Sequence, residues 1–151
     1  MIKQCFLALL LVALGSFFLQ SCKPAELEVV RNVPFAVVDQ VPAAPGCASD
    51  DTNQMKQCTV DFIDEFVHKR FSRVGVQAAM GDQELTDQDL FATWTFDEFG
   101  NVTQIIVRAS NPALEAYLRT IIEELPQFAP ARQKDKLATV IYSHVLRWRV
   151  R

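Results

Sequence analysis

The sequence predicts an α+β domain: a small antiparallel three-stranded sheet with two helices on one face, in the order α-β-β-α-β. Three stretches carry that prediction. Residues 90–109, LFATWTFDEFGNVTQIIVRA, read as a hairpin: a first strand that alternates with a period of two, a glycine turn and a return strand. Residues 111–126 hold a clean helical stripe between an Asn-Pro start and a Pro stop. Residues 137–150 alternate again to the end of the chain. Two strands alone are marginal in water, so the helices are needed to cover one face of the sheet.

Taken in order, the region after the leader opens with residues 23–32, a short mixed stretch with Pro24, Glu26, Glu28 and Arg31 that reads as a tether. Residues 33–47, VPFAVVDQVPAAPGC, hold three prolines and a glycine yet are too apolar for a free linker, so they are expected to pack as an extended arm or edge segment. A helix follows. Ser49, Asp50 and Asp51 suit its N-cap and first turn. Met55, Cys58, Phe62, Ile63, Phe66 and Val67 fall on one stripe. Lys69, Arg70 and Arg73 sit where cations favour the helix dipole, and Gly75 is read as the stop. Residues 76–81 read as a short strand or turn. Residues 81–89, GDQELTDQD, read as a solvated acidic loop; their carboxylates lack the order of an EF-hand calcium loop.

In the hairpin, Leu90, Ala92, Trp94 and Phe96 form one face of the first strand. Gly100 can take positive φ, and Glu98-Phe99-Gly100 would make a three-residue loop between Asp97 and Asn101. Val102, Ile105, Ile106 and Val107 supply the return strand; they do not alternate cleanly, which predicts a bulge or a poorly fixed register. Asn111 and Pro112 are a natural N-cap and first helical residue. Leu114, Tyr117, Leu118, Ile121, Ile122 and Leu125 follow at helical spacing, and Pro126 ends the helix. Residues 127–136 read as a loop. In the last strand Val140, Tyr142, His144, Leu146, Trp148 and Val150 share one face, and Thr139, Ile141, Ser143, Val145, Arg147 and Arg149 the other.

The N-terminus has a different character. Lys3 precedes a nearly uninterrupted apolar run over residues 5–19, about 15 residues, which suits a signal-peptide core better than a bilayer span of about 20. Leu19-Gln20-Ser21-Cys22 resembles a bacterial lipobox. That resemblance implies cleavage before Cys22 and acylation of Cys22, with residues 1–21 as the leader and 22–32 as a lipid-anchored tether. Lys23 favours the outer membrane over retention in the inner one, which places the domain in the cell envelope facing the periplasm. Two or more acyl chains make such anchoring stable. Export leaves Cys47 and Cys58 as an even pair in an oxidising compartment, so a disulfide is expected; two free thiols are the alternative. A zinc site does not fit, since no His pair accompanies them. The net charge of −3 lacks the basic footprint of a nucleic-acid-binding domain.

Residues 33–150 together resemble the C-terminal domain of the TonB family. VPFAVVDQVPAAPGC is similar to the segment that opens many such domains, DEFGNVTQIIV to their strand-turn-strand, and NPALEAYLRTIIEELPQFAPARQKDK to their second helix and following loop. The resemblance implies a TonB C-terminal-like domain over residues 33–151. It also implies that the last strand lies at an open sheet edge. In TonB that edge receives a segment of an outer-membrane receptor as an added strand, through unpaired backbone groups. Full-length TonB also has an inner-membrane helix and a long Pro-rich spacer. Neither is matched here, so energy transduction is not expected.

Little in the sequence points to catalysis. His68 and His144 lack ligand-spaced partners. Ser143 and His144 are adjacent on a strand and so face opposite ways, which rules out a nucleophile–base pair. Trp94 and Trp148 read as core. The expectation is a noncatalytic envelope lipoprotein with no cofactor and no metal. It would bind a protein segment, such as part of a TonB-dependent receptor, along Thr139, Ile141, Ser143, Val145, Arg147 and Arg149. The alternative is a structural or assembly lipoprotein that self-associates through the same edge, a homodimer in the simplest case.

Overall fold

The computed structural model describes residues 28–150; the leader, Cys22 and most of the tether lie outside the described residues. The elements are β1 (Val30–Pro34), α1 (Thr52–Arg70), α2 (Arg73–Met80), β2 (Gln88–Phe96), β3 (Val102–Arg108), α3 (Pro112–Glu123), β4 (Ala131–Gln133) and β5 (Lys136–Trp148). The α+β class holds. The count differs from expectation: the described residues form five strands rather than three and three helices rather than two. The sheet order is β1-β5-β2-β3, with β4 also paired to β5. All pairs are antiparallel except β1 with β5.

The expected hairpin is β2–β3. Gly100 has φ 83°, the Asp97 N–H donates to the Asn101 carbonyl, and the Asp97 carboxylate accepts from the N–H groups of Phe99 and Asn101. Burial pushes the Asp97 carboxyl up. Hydrogen bonds from the Asn101 side chain and from the backbone of Asn101, Phe99 and Gly100 outweigh it and hold the group below its usual value. The expected bulge is present: the register shifts between Thr93 and Thr95, opposite Gln104 at φ 51°. One extra residue on β3 restores Ile105 and Val107 to the inner face.

Two strands and one helix were not anticipated. β1 begins at Val30, inside the stretch read as tether, and Asn32 at φ 58° bulges it so that its N–H reaches the Thr139 hydroxyl at 2.7 Å. Pro34 is tolerated because β1 is an edge strand. β4 and β5 form a tight hairpin over Lys134 and Asp135, both at positive φ, which is the two-residue turn that matches strand twist. Phe71, not Gly75, closes α1. Ser72 then caps α2, accepting from the Gly75 N–H. Gly75 lies inside α2 because Tyr117 of α3 crosses it. A Cβ there would fall 1.8 Å from the Tyr117 hydroxyl, which donates to the Arg70 carbonyl.

The rest of the expected pattern is present. Asp51 caps α1, and Asn111 caps α3 with Pro112 in the first turn. The buried line of α1 is Thr59, Ile63 and Val67, with Met55, Phe62 and Phe66 half-buried beside it. Residues 33–47 do pack as an arm. Val38, Val41 and Ala44 are buried, and Gln40 and Ala43 bridge to Arg132 and Ala129. Cys47 and Cys58 are bonded, with their Cα atoms 5.8 Å apart, and fasten the arm to α1. The helices' buried residues join Leu90, Trp94, Phe96, Val140 and Leu146 in one core on the inner sheet face.

Candidate functional site

β5 is the longest strand and lies between β1 and β2. Its backbone polar groups alternate between the two sides. Tyr142, His144, Leu146 and Trp148 pair with β2 without a break in register. The Ile141 carbonyl accepts from the Phe35 N–H at 2.9 Å, so Ile141 faces the β1 side. By alternation Ser143, Val145 and Arg147 face that side too. β1 reaches only to Ile141. Beyond it, among the described residues, nothing pairs with the outward N–H and C=O groups of those three residues.

The six residues expected along this edge therefore divide. Thr139 is buried under β1 and bonded to Asn32, and Ile141 is bonded to Phe35, so neither is free. Arg149 is locked to the start of β2: its guanidinium lies 2.8 Å from the Asp89 carboxylate and 3.7 Å from that of Asp87, just before the strand, and it donates to the Gln88 carbonyl. Ser143, Val145 and Arg147 remain on an open edge, with their side chains exposed on the outer sheet face. The sequence could not show that β1 covers half the edge, because that pairing joins residues more than a hundred positions apart.

The opposite edge is treated differently. On β3 the outward carbonyls of Ile105 and Val107 accept from the guanidinium groups of Arg119 and Arg108, and the Gln104 bulge interrupts the strand. Masking and bulging are the usual ways of blunting a sheet edge. Between residues 142 and 148 β5 has neither. Its outer face is also apolar: Val145 is 44% exposed and sits directly across from Phe91 at 55%, with Ile106 at 52% one row along.

His144 belongs to the same stretch but points inward. It is buried, and its Nδ1 lies 3.3 Å from the Asp64 carboxylate on α1. Its Nε2 and the Trp94 indole N–H are buried and have no hydrogen-bond partner among the described residues. Burial is the main influence and pushes the imidazole pKa down; Asp64 pulls it up and His68 adds to the depression. The neighbouring Tyr142 hydroxyl is pushed up to about 12, by burial first and by Asp64 second. A neutral imidazole with Nδ1–H donating to Asp64 fits these contacts. Ser143 faces the other way, with its hydroxyl 3.3 Å from that of Thr93, so the pair makes no nucleophile and base. A shallow depression beside the disulfide, lined by Gln54, Gln57, Asp61 and Glu65, contains no such pair either.

Compared with protein-family models, curated proteins and solved structures, the chain matches none.

Proposed function

We propose that this protein is a noncatalytic, lipid-anchored envelope protein whose TonB C-terminal-like domain binds an extended protein segment by strand addition beside Ser143, Val145 and Arg147. One observation carries the reading: among the described residues, the longest strand in the sheet leaves a run of backbone groups unpaired at one end, while carbonyls on the other sheet edge are masked. An incoming strand would satisfy those groups and continue the sheet, so backbone bonds supply affinity and side-chain contacts supply selectivity. Val145 and Phe91 offer apolar contact on the outer face. Arg147, which has no carboxylate partner among the described residues, suits an acidic neighbour. A segment of a TonB-dependent outer-membrane receptor is the partner that the family resemblance suggests. The lipobox-like Cys22 would hold the domain at the outer membrane, facing the periplasm.

The test is photocrosslinking in native cells, with a crosslinker placed at Val145 and, separately, at Arg147. Adducts with an envelope receptor at both positions are the expected result. Receptor adducts only from a control position on the helix side, such as Glu65, would overturn the proposal.

A further inference from the structure

We infer that the outer face of the sheet is a membrane-contact surface: Phe91, Ile106 and Val145 rest among lipid headgroups, and Arg108 and Arg147 meet the anionic phosphates around them. The inference rests on the reading of Cys22 as a lipid anchor, and it adds the orientation in which the anchored domain lies.

Three observations specify a lipid surface. The first is the make-up of the face. Arg108, Phe91 and Val145 form one cross-strand row on it, and Ile106, Thr93 and Ser143 form the next. Phe91, Ile106 and Val145 are 55%, 52% and 44% exposed, so three neighbouring strands each contribute a bare apolar side chain to one patch. The hydroxyls of Thr93 and Ser143 between them lie 3.3 Å apart and satisfy each other. Apolar side chains rimmed by arginine suit the boundary between headgroups and acyl chains. The second is charge. The chain carries −3 overall, yet Arg108 and Arg147 flank this patch with no carboxylate partner among the described residues. Asp89, across from Arg147 on the same face, is neutralised by Arg149 at 2.8 Å. The helix layer instead exposes Asp61, Glu65 and Glu123, which anionic lipids repel. The third is reach. Six residues lead from Cys22 to Glu28, at most about 20 Å when fully extended. Glu28 is tied to Lys136 at the start of β5. A domain of this size is about 35 Å across, wider than its tether is long, so one side of it must rest against the bilayer. From the start of β5 either face of the sheet can be laid down, and the charges select the outer one. In that pose the open edge of β5 runs parallel to the membrane, and a strand added beside Ser143, Val145 and Arg147 lies along the surface.

The test is fluorescence quenching on the full-length protein, extracted from envelopes and reconstituted into vesicles of mixed phosphatidylethanolamine and phosphatidylglycerol. A fluorophore is attached at Ser143→Cys, in the middle of the outer face, or at Glu65→Cys, on the helix side as control. Cys47 and Cys58 are bonded to each other and do not compete for the label. Lipids carrying a headgroup quencher then report which side lies at the bilayer. The expected result is at least about threefold stronger quenching at position 143 than at position 65. Each arginine at an anionic surface is worth about a fivefold change in partitioning, so Arg108→Gln with Arg147→Gln should lower the docked-to-undocked ratio about 25-fold, with circular dichroism unchanged. Raised salt should act in the same direction. Equal quenching at the two positions in protein that floats with the vesicles overturns the docking and leaves the anchor standing. A parent that does not float overturns both. Self-quenching at position 143 that rises with protein density, without quenching by lipid, puts a second copy on the face and also overturns the proposal. Quenching at position 143 that survives Cys22→Ser upholds the docking and sinks the anchor.

Discussion

Substituting Gly100 by alanine tests how the hairpin turn is fixed, and Gly46 supplies the control. Both have positive φ, 83° and 86°. A methyl group at either position meets the left-handed penalty of an L-residue, roughly 1–2 kcal/mol. At Gly46 nothing lies within 4 Å of the added Cβ, so Gly46→Ala should cost only that amount. At Gly100 the Cβ would fall 2.0 Å from the Phe128 carbonyl oxygen, a backbone atom that cannot rotate away. Relief requires residues 127–129 to move. That move breaks the bond from the Phe128 N–H to the Gly100 carbonyl, worth about 1 kcal/mol. It also loosens the Phe128 ring, which packs 4.7 Å from Phe96 and 5.9 Å from Phe62. Gly100→Ala should therefore cost about 3–4 kcal/mol in all. Urea denaturation of the disulfide-bonded variants, followed by tryptophan fluorescence, measures both. If Gly100→Ala and Gly46→Ala agree within about 0.5 kcal/mol, the backbone contact is not what demands glycine.

Further outcomes follow from the other contacts. Because the folded pKa of His144 lies below its ordinary value of 6.5, the unfolded chain binds the proton more readily, so stability present above pH 6.5 declines as the pH falls through the folded value. Denaturation midpoints between pH 8 and 5 should show that decline, and His144→Gln should flatten it; an unchanged slope would refute the assignment. Cys47→Ser with Cys58→Ser should lower stability by about 3 kcal/mol, and reduction of the parent should match it in the same denaturation assay. Gly75→Ala should destabilise the parent. In a Tyr117→Ala background, which removes the crossing side chain, the same change should instead stabilise α2 by up to about 1 kcal/mol, and a double-mutant cycle reads the change of sign.

What could be read from the sequence was local. Asp51 and Asn111 mark their helices through side-chain oxygens that reach the first free N–H groups, Gly100 marks a left-handed turn, and the broken alternation at residues 102–107 marks the bulge. Each signal lies within a few residues of its effect. α2 escaped because Gly75 suggested a helix stop, while the demand for glycine there comes from Tyr117, forty-two positions later. Ser72 was the available cue, as an N-cap three residues before the N–H it receives. β4 escaped because its turn places Lys134 and Asp135, rather than the usual glycine or asparagine, at positive φ; Asp39 steadies it by accepting the Lys134 N–H. At the candidate site, alternation in β5 separated Ser143, Val145 and Arg147 from the buried face. It could not tell them from Thr139 and Ile141, because the covering strand comes from the far end of the chain.

That pairing of the first strand with the last also governs how the molecule must be made. β5 enters the sheet between β1 and β2, although it follows every other described strand in the chain. Until it arrives, β1 has no partner strand and β2 is bonded on one side only, so β1 waits with a bare edge while more than a hundred residues emerge, and β2 while residues 97–135 do. Closure of the sheet is thus a single late, long-range event of the kind that slows folding. A chain lacking residues 136–148 would lose the common neighbour of β1, β2 and β4 together, and with it the strand that lies alongside Trp94 and Phe96. What remained would be an open hairpin beside a loose arm.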